Sequence, residues 1–359
     1  MDLTFILSTA SLILWIIIVL LPWRPWFTSE AWDVSSDDTG FDNKDLSKIT
    51  VLIPARNEEK VLRKTLAALT KQGMNLRVIV IDDNSEDNTA AVAKSFQSLD
   101  VKVVKNKPLE PGWSGKLWAL ENGRAHVKTE FTLLLDADIK VKEGVIPGLY
   151  SKLQKSEYSF VSLMAQPSLS GFWERLLMPA FIYFFKLLYP FRLANSGSQW
   201  VSAAAGGCIL LKSKVLEDIG GFTALKETLI DDCTLAKKAN EAGYKTWLGL
   251  THSVKSIRPY DGIKEIWNMV ARTAYTQLHY SFWMLVLCTL LMFVAYLTPL
   301  LGILHLTSGI FYISAAALLL MALTYLPTLL FYNLSPLRAF SMPFIGALFL
   351  AMTWTSAIR

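Results

Sequence analysis

The sequence predicts an α/β domain built on a mostly parallel sheet and held between apolar membrane helices at both ends. Three observations predict it. Short β-branched runs alternate with helical stretches through the first half of the middle block, which is the pattern of β-α crossovers. Charge is segregated: residues 1–22 carry only Asp2 and residues 282–359 only Arg338 and Arg359, so 62 of the 65 charged residues fall in residues 23–281. That middle block is about 24% charged, the density of a soluble domain, although the whole chain is 52% hydrophobic. A single soluble domain, a disordered chain and a purely membranous transporter are therefore excluded.

In chain order, Leu3 to Leu21 is almost continuously apolar, about 28 Å of helix against a hydrocarbon core of roughly 30 Å, and reads as a transmembrane helix within residues 1–22. A cleaved signal peptide competes with this reading. The segment lacks a basic start, however, and ends in Pro22-Trp23-Arg24 instead of small residues. Arg24 and all other basic residues follow the helix, and Trp23 and Trp26 stand where an interfacial aromatic belt belongs. The amino terminus is thus predicted outside and the middle block in the cytoplasm, a localisation in the bacterial inner membrane. Residues 23–47 read as a linker.

From residue 48 the predicted elements are strand 49–54, helix 58–72, strand 76–83, helix 88–97, strand 101–104, helix 116–126 and strand 131–138. Ligands of such sheets bind at the carboxyl ends of the strands. There the chain places Pro54-Ala55-Arg56-Asn57-Glu58, Asp82-Asp83-Asn84-Ser85 and Asp136-Ala137-Asp138. Two acidic clusters on one rim repel unless a cation or donors compensate, which points to Mg2+ or Mn2+ carrying a phosphate ligand. A helix N-cap role also accounts for Asp82, Asp83 and Ser85. The spacing of Asp136 and Asp138 aims both carboxylates the same way if the segment is extended. No glycine-rich phosphate loop accompanies them, so ATPase and dinucleotide-dehydrogenase readings fall away.

The segment 172–191 is as apolar as a membrane span but carries Glu174, Arg175 and Lys186 and is interrupted by Pro179 and Pro190, so it reads as interfacial helices; a buried helix pair is the alternative. Residues 261–281 form an amphipathic interfacial segment. In residues 282–359, Phe282–Leu304 and Ile310–Phe331 are long enough to span and Phe344–Ala357 is a shorter third candidate, giving two or three spans. Cys208, Cys233 and Cys288 make no C-x-x-C pair, so neither zinc nor a disulfide framework is indicated. The basic excess of the middle block, 33 residues against 29 acidic, suits an anionic membrane face and is too weak to indicate nucleic acid. His126 and His252 read as ordinary helix-end or loop residues, and Trp113 as packing or a stacking surface.

These residues resemble family 2 glycosyltransferases of the GT-A fold, a Rossmann-like, mostly parallel sheet. The hallmarks are I-P-x-x-N-E, D-D-x-S, D-x-D and a later acidic pair, here Asp231-Asp232 followed by Cys233-Thr234-Leu235, after Ala205-Gly206-Gly207-Cys208 and Gly220-Gly221-Phe222. The likeness covers roughly residues 48–260. Pro111-Gly112-Trp113-Ser114-Gly115-Lys116 is similar to the membrane-bound branch that acts on hydrophobic acceptors, most closely the hopene-associated glycosyltransferases of bacterial hopanoid gene clusters. The resemblance implies an inverting, metal-dependent hexosyltransferase with a nucleotide-sugar donor, UDP-linked, and a lipid acceptor at the membrane. In it Pro54, Ala55, Arg56, Asn57, Glu58 and Asp83 bind the donor nucleotide, Lys116 its diphosphate, Asp138 the metal, and Asp136, also catalytic, lies near the donor sugar or the metal. Asp232 is the general base, with Asp231 beside it. Where processive relatives carry Q/R-x-x-R-W, this chain has Arg272, Gln277 and His279, so a single transfer is implied and site closure by these three stays open beside a snorkelling role. A polyisoprenyl-phosphate acceptor and a non-catalytic scaffold are the alternative readings; protein partners are unspecified.

Overall fold

A computed structural model describes residues 3–35, 44–198, 200–228, 230–306 and 309–359. Residues 36–43 of the predicted linker lie outside the described residues. The elements in chain order are α1 (Leu3–Leu20), β1 (Ile49–Ala55), α2 (Glu59–Leu69), β2 (Arg77–Asp82), α3 (Thr89–Lys94), β3 (Asp100–Lys105), α4 (Gly115–Arg124), β4 (Phe131–Leu135), β5 (Ile139–Val141), α5 (Val145–Lys155) and β6 (Tyr158–Gln166). They continue with α6 (Phe172–Leu188), α7 (Phe191–Ala194), β7 (Cys208–Lys212), α8 (Ser213–Asp218), α9 (Asp231–Glu241), β8 (Lys245–Ser256), α10 (Ile263–Gln277), α11 (Phe282–Met292), α12 (Thr298–Gly302), α13 (Gly309–Phe331) and α14 (Met342–Ile358). They fall into two compact units, one of Glu30–Ser168 with Leu193–Arg258 and one of Met1–Ser29, Leu169–Arg192 and Pro259–Arg359.

The first unit holds a sheet of eight strands in the order β3-β2-β1-β4-β7-β6-β8-β5. β1 pairs in parallel with β2 and β4, and β2 with β3; β7 enters antiparallel between β4 and β6, and β8 runs parallel to β6. The β-branched runs explain the centre: β2 buries all but its first residue and β4 all five, because helices cover both faces. The helices are shorter than predicted at their ends. The larger difference is at 131–138. Extended structure stops at Leu135, and Asp136-Ala137-Asp138 form a turn closed by Ile139 N–H donating to Asp136 O at 3.1 Å, after which β5 begins. Thr65 of α2 donates to Ala137 O at 2.7 Å and pins that turn from below.

The second unit is helical. Among the described residues, four helices are long and apolar enough to cross a membrane by length and composition: Leu3–Leu20, Phe282–Gly302, Gly309–Phe331 and Pro336–Ile358. The last is longer than the predicted Phe344–Ala357 because a 3-10 turn, Pro336–Ser341, leads into α14. Between α11 and α12 a π turn spans Phe293–Leu297. Pro299 has no N–H and its ring crowds the carbonyl four residues back, that of Ala295. Trp15 Nε1 donates to that freed carbonyl at 3.0 Å and Ser11 Oγ at 3.4 Å, so α1 satisfies the group the proline orphaned. In α6 the helix runs through Pro179 without breaking and buries Leu176, Leu177, Met178 and Tyr183 in this unit's core.

Candidate active site

The site is built at the carboxyl edge of β1, β2 and β4 and at the opposite end of β7, which its antiparallel course brings to the same rim. The loop after β1 and the loop after β2 interlock. Asn57, in left-handed backbone (φ 56°), donates its N–H to Ser85 Oγ at 3.0 Å and accepts Glu86 N–H on Oδ1 at 2.8 Å. Asp82 accepts Ser85 N–H, and Asp83 N–H donates to Ala55 O at 2.8 Å. None of Asp82, Asp83 and Ser85 caps α3, whose N-cap is Asn88, so the capping explanation fails. Asp83 instead accepts Asn106 Nδ2 at 2.7 Å and faces Arg56 Nη1 at 3.9 Å.

Four residues of the G-W-S-G-K run have distinct roles. Trp113 is buried against Trp118, with ring centroids 5.0 Å apart, so it packs. Ser114 caps α4 by accepting Leu117 N–H. Gly115 passes so close to Asp83 that a Cβ would stand 2.8 Å from its Oδ2. Lys116, on the first turn of α4, reaches Asp136 Oδ1 at 2.7 Å.

Asp136 and Asp138 have different partners, contrary to the prediction of two carboxylates aimed the same way from an extended strand. The turn separates them. Asp136 turns to Lys116, whereas Asp138 Oδ2 accepts Ser256 Oγ at 2.9 Å and lies 3.6 Å from Arg258 Nε. Arg258 also pairs closely with Glu58. Ser256 and Arg258 sit at the end of β8, and the sequence reading missed both; the cue was only that a strand running beside β5 must end next to the D-x-D turn. His252 lies within β8, not in a loop, and its Nδ1 is 2.9 Å from Asp33 Oδ2.

Asp231 and Asp232 open α9, where a helix amino terminus favours negative charge. Gly206, just before β7, donates its N–H to Asp232 Oδ2 at 2.9 Å, and Cys233 N–H donates to Oδ1 at 2.8 Å. A Cβ on Gly206 would stand 3.3 Å from Lys116 Nζ and 3.5 Å from Asp232 Oδ2. The structure thus gathers Pro54, Lys116, Asp136, Gly206, Asp231 and Asp232 around one cleft. Burial and the carboxylate of Asp231 push Asp232 up to about 6. Burial also raises Asp136, against the pull of Lys116. Burial opposes the charge on Lys116, but Asp136, Asp231 and Asp232 outweigh it and hold the ammonium protonated well above its ordinary range. Lys116 and Asp136 keep 37% and 32% of their side-chain surface open, and that opening faces the cleft. Burial raises Glu58 too, its pair with Arg258 only partly offsetting it.

Arg272, Gln277 and His279 belong to the helical unit. Gln277 Oε1 accepts Tyr189 Oη at 2.8 Å, and His279 stands in left-handed backbone just past the end of α10. Among the described residues no three His, Cys, Asp or Glu side chains converge as a metal-holding group.

The family model for "Glycosyl transferase family 2" matches residues 50–220. A 4,4'-diaponeurosporenoate glycosyltransferase of Staphylococcus haemolyticus is 32% identical over 31% of this chain and 29% of its own length. The probable glycosyltransferase YdaM of Bacillus subtilis is 27% identical over 56% of this chain and 48% of its own. The chain therefore spans less than half the length of either relative. A solved mannosyltransferase of Pyrobaculum calidifontis, in complex with GDP-Man and Mn2+, covers 99% of both chains with a TM-score of 0.55 at 16% identity, a likeness of fold. The matched segment contains the strand-end clusters from Pro54 to Gly206, so this part of the chain is similar to glycosyltransferase family 2 in sequence and to a solved GT-A enzyme in fold.

Proposed function

We propose that the protein transfers a single sugar from a nucleotide-diphosphosugar to a hydrophobic lipid acceptor at the cytoplasmic face of the bacterial inner membrane, inverting the anomeric centre. The observation that carries this reading is the cleft itself: a raised carboxylate, Asp232, held by the Gly206 amide beside the Lys116–Asp136 pair. The acceptor hydroxyl attacks the anomeric carbon from the face opposite the diphosphate. The new oxygen–carbon bond forms as the carbon–oxygen bond to the diphosphate breaks, and the hydroxyl proton passes to Asp232. A base near pH 6 is mostly ionised at neutral pH yet far closer to a useful proton acceptor than an ordinary aspartate.

The departing diphosphate needs positive charge, and Lys116 supplies one ammonium at the cleft floor. Asp138 and Asp136 are hard oxygen donors on the rim, the set that holds Mg2+ or Mn2+ together with substrate phosphates. Their fit rests on the excess of carboxylates there, since Asp83, Asp136, Asp138, Asp231 and Asp232 outnumber Arg56, Lys116 and Arg258. When bound, such an ion would act as a Lewis acid on the leaving diphosphate. The branch resemblance favours UDP as the nucleotide; the fold neighbour that holds GDP-Man puts GDP-sugars on the same panel. The relative named for 4,4'-diaponeurosporenoate and the hopanoid association of the branch define the acceptor panel, carotenoid acids and polycyclic lipids.

The test is nucleotide release from UDP- and GDP-sugars by the full chain in lipid, with Mn2+ or Mg2+, for wild type, Asp138→Asn and Asp232→Asn, with and without bacterial lipid extract. Release that needs lipid and both carboxylates is the expected result. Release that survives in Asp232→Asn would move the acceptor to a polyisoprenyl phosphate, whose attacking oxygen is already ionised. No release and no nucleotide binding would leave a scaffold.

A further inference from the structure

Arg258 is a cation of the rim that the sequence patterns did not mark, and its surroundings are asymmetric. Its two carboxylate partners are largely covered, with 16% of the Glu58 side chain and 19% of the Asp138 side chain exposed, whereas half of the Arg258 side chain is open. The contact with Glu58 is close and the one with Asp138 is the looser, at 3.6 Å. Asp138 does not depend on Arg258 for its position. Ser256 Oγ holds its carboxylate at 2.9 Å, and Ile257 N–H donates to its backbone oxygen at 2.9 Å. Glu58 is thus the anchor of the guanidinium and Asp138 a contact that can be exchanged.

We infer that Arg258 binds the diphosphate of the donor, exchanging its contact with Asp138 for phosphate oxygens while Glu58 keeps hold of the side chain. The inference rests on the transferase reading. Its chemistry is that of the planar guanidinium, which matches phosphate oxygens two at a time as a lysine cannot. Its placement follows from the strand order: the end of β8 lies beside the D-x-D turn, on the rim where the diphosphate must pass. The guanidinium also neutralises Asp138, so it competes with any cation for that carboxylate.

That competition gives two expected effects of opposite sign. Binding of UDP, GDP, UMP and GMP to the full chain in nanodiscs is measured by calorimetry, and binding of Mn2+ alone by electron paramagnetic resonance, for wild type, Arg258→Gln and Arg258→Lys. Arg258→Gln is expected to bind the preferred nucleoside diphosphate about tenfold more weakly, to bind the monophosphate as wild type does, and to bind Mn2+ more tightly. Arg258→Lys, which keeps the charge and loses the fork, falls between and covers the case in which the glutamine variant does not fold. Unchanged diphosphate affinity in both variants overturns the inference. So does a parallel loss of Mn2+ and diphosphate binding, which would make Arg258 only a prop for Asp138. If wild type binds no nucleoside diphosphate with or without Mn2+, the transferase reading falls instead.

Discussion

In the proposed mechanism Asp232 serves as a base only when ionised, and its raised affinity for the proton sets the pH at which it could do so. With its titration moved from 3.8 up to about 6, the rate of transfer should rise as pH passes up through about 6 and level off above it. Asp231 contributes to that rise by like charge, so Asp231→Asn should slide the acid limb to lower pH; a limb that stays in place would remove Asp231 from the explanation. Asp232→Asn should lose about 10²–10⁴-fold in transfer rate while nucleotide binding persists. Gly206 makes a separate point. In Gly206→Ala the added methyl meets the flexible end of Lys116 at 3.3 Å, so the ammonium moves off Asp136 and transfer falls while the melting temperature barely changes. A large loss of stability would instead mean that the backbone there has no room to give.

At the scale of elements, the D-x-D turn depends on α2. Removing the Thr65 hydroxyl leaves the Ala137 carbonyl without that donor, so Thr65→Val should cost about 1–3 kcal/mol in chemical denaturation and weaken metal-dependent nucleotide binding together. Stability loss with binding intact would show that the turn holds its shape unaided. How much of this was legible depends on how each element is bounded. β1, β2 and β4 are β-branched runs buried on both faces, so they stand out from the chain. β5 is three residues long and β8 twelve with glycine and histidine inside, and neither has a local signature. The site divides in the same way. Asp83, Asp136, Asp138 and Asp232 follow buried strands or open a helix, and their spacing marks them. Asn106 and Arg258 act across 23 and 200 residues of sequence, on Asp83 and Glu58, and only the sheet order brings them there. The extended reading of 136–138 failed because the apolar run ends at Leu135 and the chain must turn to reach β5.

At the scale of the whole molecule, four helices with the length and apolarity of membrane spans imply that the chain stays with the membrane pellet through an alkaline carbonate wash and is released only by detergent. Recovery in the wash would reduce the helical unit to a peripheral attachment. The helices also pack by shape: a Cβ on Gly302 would stand 1.9 Å from Ser314 Oγ and 2.8 Å from Ser8 Oγ, in a place where only glycine allows α1, α12 and α13 to meet. Gly302→Leu should therefore lower the yield of folded protein in detergent, judged by size-exclusion profile, without touching a residue of the cleft.

The excursion of Leu169–Arg192 into the helical unit divides the sheet in time as well as in sequence. When the ribosome has made β1 to β6, β4 is still a bare edge, because its other neighbour β7 lies beyond α6 and α7. β6 at that moment has neither of its partners, β7 and β8. The growing protein must therefore carry an open, apolar strand edge through synthesis of α6, a state prone to mispairing.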